Sequence, residues 1–122
     1  MSFEQLTEQI TAFRDERDWE QFHTPRNLAS ALAIEAAELQ EVLLWKDDEE
    51  ISELVASKPG HIKLSDEAAD VLIYALLFCE SAGIDPDAAI RIKLKKNAEK
   101  YPVDRAKGSA AKYDELANEA SE

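Results

Sequence analysis

The apolar positions of the chain recur at steps of three and four residues, which is the spacing of one face of an α-helix. A first stripe follows the capping-box pair Ser2 and Gln5. Its apolar members are Phe3, Leu6, Ile10 and Phe13. Thr24-Pro25 then provides an N-cap followed by proline at the first helical position, and predicts a second helix that reaches about Trp45.

Two shorter signals divide the next part of the chain. Asp47 to Ser57 holds apolar residues on an acidic background and predicts a short helix, which Lys58-Pro59-Gly60 is expected to break. Ser65 is predicted to cap the following helix, and Gly83 is predicted to end it as the C′ residue.

The last predicted long helix opens at Asp85-Pro86, reaches Lys100 and ends at Tyr101-Pro102. No strand pattern, internal repeat or domain linker is found, so the pattern predicts an all-α fold of the helical-bundle type. We expect one helical domain over residues 1–102 and a polar, partly mobile tail over residues 103–122, with a weak helical pattern around Lys112 to Ala120.

The stretch from Val71 to Cys79 is apolar on every side of its predicted helix. A helix of this kind is normally buried all round. In a chain of 122 residues such burial predicts a subunit interface, and therefore a homo-oligomer, either a dimer or a tetramer.

Composition and charge exclude several classes of partner. The formal charge of −12 argues against binding to polymeric nucleic acid or to an anionic membrane. Cys79 is the only cysteine, so an internal disulfide is impossible. The first ten residues are polar and acidic rather than basic and then apolar, and the longest apolar run is nine residues. We therefore expect a cytoplasmic protein without a signal peptide.

Two acidic doublets stand out within the apolar helices. Glu35 and Glu38 lie in the second predicted helix, and Glu67 and Asp70 lie in the helix that follows Gly60. Each residue advances about 100° around a helix axis, which places both doublets on or beside an apolar stripe. Buried carboxylates repel one another and lose hydration, and a hard divalent cation removes both costs. The pattern predicts a metal site for Mg²⁺, with Mn²⁺ as a substitute.

Other interpretations of the doublets have to be weighed. A single pair of this spacing on an acidic chain is usually a solvated face. A di-iron carboxylate bundle would place a histidine three residues after an inward glutamate, and neither His23 nor His61 has that spacing. A purely structural helical dimerisation module would explain the apolar helix but not the buried acids. The alternative to an enzyme is a non-catalytic helical oligomerisation or metal-binding module.

Two further sets of side chains could bind a ligand. Lys93, Asn97 and Lys100 share one helix face and can donate to phosphate oxygens, although a solvated basic patch explains them equally well. Aromatic rings can stack on a nucleobase, although aromatics at helical spacing are usually core. The aromatic and histidine candidates are Trp19, His23, Trp45 and Tyr74.

Several motifs resemble one protein family. The two doublets, separated by 28 residues, resemble the metal motif of the all-α nucleoside triphosphate pyrophosphohydrolases, the MazG-like superfamily. The closer resemblance is to the dCTP pyrophosphatase branch. It rests on Glu16-Arg-Asp-Trp-Glu-Gln-Phe-His23, Pro25-Arg-Asn-Leu28, Trp45-Lys46, Asp70-Val-Leu-Ile-Tyr74 and Tyr101-Pro102.

The resemblance implies a Mg²⁺-dependent enzyme that hydrolyses a deoxynucleoside triphosphate, dCTP above others, to the monophosphate and pyrophosphate. It implies that Glu35, Glu38, Glu67 and Asp70 hold metal and that one of them, for which we favour Glu38, orients the attacking water. It further implies that residues 1–102 form the catalytic domain and that the enzyme removes unwanted nucleotides. Trp19, Trp45 and Tyr74 would border the nucleoside, with His23 beside them, and Lys93, Asn97 and Lys100 would contact the phosphates.

One position departs from the family pattern. The vertebrate enzymes have a histidine near the base in the first helix, where this chain has Ile10. Because an aliphatic side chain cannot donate or accept a hydrogen bond, we expect weaker discrimination between bases in this protein.

Overall fold

The computed structural model describes residues 1–112 and residue 114, and every regular element in that part of the chain is helical. The bounds are α1 Phe3–Glu16, a 3₁₀ turn Glu20–Phe22, α2 Pro25–Leu43, α3 Asp48–Ala56, α4 Lys58–Ser81, α5 Pro86–Lys100 and α6 Val103–Ala106. The prediction of an all-α fold is confirmed. The part of the predicted tail from Lys112 to Ala120 lies, apart from Lys112 and Asp114, outside the described residues.

The helix starts follow from side chains that accept the first unpaired backbone N–H groups. Ser2 and Gln5 form the predicted capping box of α1, with the Gln5 N–H donating to the Ser2 hydroxyl at 3.1 Å. Thr24 caps α2 in the same way, with Pro25 at the first helical position. Asp85 caps α5, and this helix has the bounds that the sequence predicts.

The prediction that Ser65 caps the fourth helix is wrong. Ser57 is the N-cap, and its hydroxyl accepts the Gly60 N–H at 3.1 Å. Lys58-Pro59-Gly60 is therefore the first turn of α4 rather than a break, because proline is tolerated where backbone N–H groups have no helical acceptor. A Cβ at Gly60 would lie 2.0 Å from the Leu54 carbonyl oxygen, so the close approach of α3 requires glycine here.

The chain divides into two compact units, Met1–Ile84 and Asp85–Glu122. In the first unit α4 is the central helix, and α1, α2 and α3 all pack against it, α2 most extensively. The buried apolar residues are few: Leu28 from α2 and Leu76 and Leu77 from α4. The end of α4 is as predicted, since Gly83 has a φ of +67°, a conformation that glycine adopts without strain.

The second unit contains α5 and the short helix α6, which the sequence analysis did not predict. Pro102 precedes α6, and its carbonyl accepts the N–H groups of Arg105 and Ala106 at 3.0 and 2.8 Å.

The apolar stretch of α4 is only partly covered within one chain. Leu76 and Leu77 are 9% and 4% exposed, whereas Leu72 is 62% exposed and Ile73 is 36% exposed. One side of the stretch therefore lies in the core of this unit, and the other side faces outward from it. Among the described residues, no helix combines the length and the apolar character needed to span a lipid bilayer.

Candidate metal centre and adjoining cavity

The packing of α2 on α4 brings the two acidic doublets together. Glu35, Glu38 and Glu67 each offer one carboxylate oxygen, and these three atoms all lie within 4.8 Å of one another. Two of the three residues are half-buried, and Glu38 is exposed. Asp70 does not belong to this group, although it follows Glu67 by three residues on the same helix. Three of the four predicted ligands thus converge on one point in the described structure.

The carboxylates at this point are poorly satisfied by the protein. Glu35 Oε2 and Glu67 Oε2 are buried and have no hydrogen-bond partner. A buried oxygen without a partner is costly, because water and donors are both lost to it. Such oxygens, supplied by carboxylates from two helices, are the donor set that a hard cation prefers. The residues present therefore fit a divalent metal of the Mg²⁺ or Mn²⁺ kind.

The electrostatics of Glu35 report the same crowding. Its pKa is raised from the usual 4.5 to about 7. The largest cause is the hydrogen bond with Glu38, followed by burial and then by the negative charges of Glu38, Asp70 and Glu67. Without a cation, a proton shared between Glu35 and Glu38 therefore reduces the repulsion.

A lysine side chain contacts the cluster. The Lys63 ammonium lies one turn before Glu67 on α4 and donates to Glu67 Oε1 at 3.0 Å. The Glu67 side chain is 12% exposed and the Lys63 side chain is 60% exposed, so the ammonium approaches from the solvent side. Glu67 thus has one oxygen held by lysine and the other buried without a partner.

Next to the acidic cluster is a cavity of about 360 Å³ within the first unit. Its walls come from α1, α4 and the connector between α1 and α2. The residues that line it are Gln9, Ile10, Phe13, Arg14, Trp19, His23, Asp70, Ile73, Tyr74 and Leu77. Asp70 belongs to this cavity and also adds its charge to Glu35, so the cavity and the cluster adjoin.

Three of the four predicted aromatic and histidine candidates line this cavity. Trp19 is 43% exposed and meets the Phe13 ring edge-on, with ring centroids 5.9 Å apart. The pKa of Tyr74 is raised by burial and then by the charges of Glu35, Asp70 and Glu38, so its hydroxyl is subject to the field of the acidic cluster. The pKa of His23 is lowered by burial first and by the positive charge of Arg14 second.

Trp45 does not line the cavity in a single chain. It follows α2 with a φ of +65°, in the left-handed region that a bulky residue rarely adopts, and 92% of it is exposed. Lys93, Asn97 and Lys100 belong to α5 in the second unit, where Asn97 is half-buried and the two lysines are exposed. The contacts predicted for these four residues stay predictions.

Sequence reasoning overlooked Arg14, which is the buried charged residue of the cavity wall. It is 6% exposed, and its guanidinium binds Asp15 and Glu80. The signal was available, because Arg14 follows Ile10 by four residues and continues the apolar stripe of α1. The ion pair with Glu80, 66 residues later, could not be predicted from that stripe.

The chain matches one known family of proteins. Residues 31–116 match the MazG-like family, and this chain belongs to that family.

Individual proteins similar to this chain carry related names. It is 41% identical to the dCTP pyrophosphatase 1 of cattle over 109 residues, which are 89% of this chain and 64% of the relative. It is 41% identical to the human protein of the same name over 104 residues, 85% of this chain and 61% of the relative. The chain thus spans less than two thirds of these relatives. The crystal structure of a pyrophosphatase from Archaeoglobus fulgidus is 42% identical, with a TM-score of 0.74, over 81% of this chain and 91% of that one.

Proposed function

We propose that this protein is a metal-dependent nucleoside triphosphate pyrophosphohydrolase, which hydrolyses a deoxynucleoside triphosphate to the monophosphate and pyrophosphate. The observation that carries the proposal is the convergence of Glu35, Glu38 and Glu67 within 4.8 Å, beside an aromatic cavity of about 360 Å³. The family and the names of the similar proteins support the same reaction.

Glu35, Glu38 and Glu67 would hold the metal, and Asp70 would join them from the cavity wall. We propose Mg²⁺ as the physiological ion and Mn²⁺ as a substitute, because all the candidate ligands are carboxylate oxygens. When bound, the metal would offset the charge that develops on the phosphate oxygens. Glu38 is the exposed member of the cluster, and we propose that its carboxylate orients the water. The α–β phosphoanhydride bond then breaks, and pyrophosphate leaves.

The cavity is where we propose that the nucleoside binds. Trp19 and Tyr74 offer ring surfaces for stacking, and His23 offers a polar edge beside them. The names of the mammalian relatives favour dCTP or its close derivatives as the substrate. Ile10 is part of the wall, which is consistent with the expectation that this position supplies no hydrogen bond to the base. Clearance of unwanted nucleotides and a cytoplasmic location remain predictions from the sequence.

We further propose that the protein works as a homo-oligomer, a dimer or a tetramer. Only Leu28, Leu76 and Leu77 are buried apolar residues in the described part of a single chain. Large apolar side chains at the surface, including Leu72 at 62% exposure and Trp45 at 92%, would be covered by a second copy. Light scattering that gives the mass of one chain, 13.7 kDa, at micromolar concentration would contradict this proposal.

Phosphate contacts are proposed for Lys93, Asn97 and Lys100, on the strength of the family resemblance and of their common face on α5. Replacement of Lys93 by Met should then weaken binding of the triphosphate more than binding of the nucleoside alone.

Product analysis tests the reaction directly. The wild-type protein is incubated with each common dNTP and Mg²⁺, and the products are identified by ³¹P NMR. We expect monophosphate and pyrophosphate, with dCTP turned over fastest, and no product with EDTA or with Glu38→Gln. Glu41→Gln is the matched control, because Glu41 lies on α2, is exposed and lies outside the cluster. Release of orthophosphate, or no product from any nucleotide, would refute the proposal.

A further inference from the structure

Trp19 and His23 belong to the connector between α1 and α2, and both line the cavity. Backbone hydrogen bonds within this connector begin at the Arg14 carbonyl. The Trp19 N–H donates to the Arg14 carbonyl at 3.1 Å. The Phe22 N–H then donates to the Trp19 carbonyl at 2.9 Å, and the His23 N–H donates to the Glu20 carbonyl at 3.0 Å. The backbone of Arg14 is therefore the fixed point from which this connector starts.

The side chain of Arg14 points to a different partner. Its Nη1 donates to Glu80 Oε2 on α4 at 2.9 Å, and its Nε donates to Asp15 Oδ1 at 2.8 Å. Its Nη2 lies 3.8 Å from Glu20 Oε2. The Arg14 side chain is 7% exposed, whereas the Glu80 side chain is 39% exposed. Arg14 thus links two parts of the structure. Its backbone carbonyl binds the connector, and its side chain binds α4.

Burial of a charged side chain costs desolvation energy, and the attraction to its partner often only balances this cost. Replacing a buried ion pair by apolar groups of similar volume is often neutral or stabilising, so stability alone gives weak grounds for an arginine here. Arg14 lines the same cavity as Trp19 and His23. Both of those residues belong to the connector whose backbone is hydrogen-bonded to the Arg14 carbonyl. The position is therefore suited to fixing the cavity wall.

We propose that Arg14, paired with Glu80, is the positioning residue of this cavity, and that it holds Trp19 and His23 in place against α4 for a flat, uncharged ring such as a nucleobase. The identity of this ring rests on the proposed function. Without the Arg14–Glu80 pair the connector would keep its local hydrogen bonds but lose the ion pair that links it to α4 through Arg14, and the cavity wall would have to be ordered each time a ligand binds.

The charge of Arg14 has a second consequence at His23. His23 Nδ1 is buried and has no hydrogen-bond partner, and the pKa of His23 is lowered by burial first and by Arg14 second, while Glu80 raises it. The other charged groups around the cavity are Glu20 on the 3₁₀ turn, Asp15 on α1 and Asp70 on α4. Burial and the charge of Arg14 both favour the neutral imidazole, which suits an uncharged ligand.

Proton NMR of the two histidines tests this arrangement without any substrate. The chain has only His23 and His61, so His61 on α4, which is exposed, serves as the internal control. Arg14→Met should raise the pKa of His23, and Glu80→Gln should lower it further, with His61 unchanged in both. Arg14→Lys keeps the charge and should leave His23 close to its wild-type value. An equal pKa of His23 in wild type and in Arg14→Met would overturn the proposed effect of Arg14 on His23.

Steady-state kinetics with dCTP test the positioning part. We expect Arg14→Met to raise KM by about tenfold and to change kcat by less than about threefold, because a cavity wall that must be ordered on binding weakens the binding of the ground state and of the transition state alike. Arg14→Lys cannot bridge Asp15 and Glu80 together, so its KM should also rise. The double variant Arg14→Met with Glu80→Gln removes both charges of the Arg14–Glu80 pair, and it keeps the test valid if the single variant is unstable.

Arg91→Met is the matched control. Arg91 pairs with Asp87 one turn away, but both side chains are exposed, at 79% and 55%, and neither lines the cavity. It should leave KM unchanged. An unchanged KM in the folded double variant would overturn the positioning role. A wild-type protein that turns over no nucleotide would instead refute the proposed function. The histidine titrations would then still decide whether the charge of Arg14 acts on His23.

Discussion

The two acidic doublets have the same spacing in the sequence, yet they differ in the structure. On α2, Glu35 is half-buried with a free inner oxygen and a pKa raised to about 7, and its neighbour Glu38 is exposed. On α4, Glu67 is held by Lys63 at 3.0 Å, and Asp70 lines the cavity instead of joining the group of three. Identical spacing therefore places one doublet wholly in the acidic cluster and divides the other between the cluster and the cavity.

This difference teaches that spacing on a helix determines which side chains share a face, while the charged neighbours on the same helix and on the partner helix determine their chemical state. Glu35 and Glu67 are the first residues of their doublets, but a lysine one turn earlier is present only on α4. The comparison can be tested by changing each doublet in turn.

The largest effect is expected from removal of the ligands themselves. Glu35→Gln and Glu67→Gln should each lower kcat/KM by more than about a hundredfold, because a metal ligand matters more than the groups that merely orient one. Asp70→Asn should raise KM as well as lower kcat, since Asp70 also lines the cavity. Asp66→Asn, beside Glu67 and exposed, is the control for α4. A pure kcat effect in Asp70→Asn would remove the distinction between the doublets.

The second effect concerns stability with metal. Thermal melts in EDTA and in Mg²⁺ should differ, since an ion that binds only the folded state stabilises it by about 2.7 kcal/mol at a hundred times its Kd. Glu35→Gln and Glu67→Gln should both remove most of this gain. The melting temperature of Glu41→Gln should respond to Mg²⁺ as the wild type does. If Mg²⁺ shifted the melting temperature equally in the wild type and in all three variants, the metal site would be refuted.

The third effect is a pH dependence that Glu35 of the α2 doublet should cause. Without metal, Glu35 is protonated in both states below its ordinary pKa of 4.5. Between 4.5 and about 7 the folded state keeps a proton that the unfolded chain has lost, so stability should fall as pH rises through this window. Glu35→Gln should make the metal-free protein less sensitive to pH there and more stable at pH 8. Urea titrations in EDTA at pH 5 and pH 8 measure both.

The smallest effect is expected at Lys63. A single ammonium at the solvent side weakens the attraction of the site for a divalent cation, so Lys63→Met should tighten Mg²⁺ binding by roughly two- to fivefold, and less at high salt. Calorimetric titration of the protein without nucleotide measures this. Arg91→Met, which breaks another pair with the same i, i+4 spacing, should leave the affinity unchanged. Weaker binding in Lys63→Met would mean that lysine orients Glu67 for the metal.

Most helix boundaries could be predicted because their signals are local. The caps Ser2, Thr24 and Asp85 and the terminal Gly83 act on neighbouring backbone groups, and the structure confirms each of them. The prediction that Ser65 caps α4 was wrong because Lys58-Pro59-Gly60 was interpreted as a break. Gly60 lies against the Leu54 carbonyl, so glycine serves helix contact there and not a turn. The short helix α6 was missed because four residues give too few apolar positions to show a period.

The sequence alone determined that the protein is helical, that its acids lie in pairs on apolar stripes and that its aromatics could border a ligand. These properties depend on residue type and on spacing along one helix. The tertiary structure decided that Asp70 lines the cavity and that Arg14 joins Glu80. It also decided that burial and the charges of Asp70 and Glu67 add to the local effect of Glu38 in raising the pKa of Glu35 to about 7. These contributions depend on burial and on distances between residues far apart in the chain, which form only when α1 and α2 pack against α4.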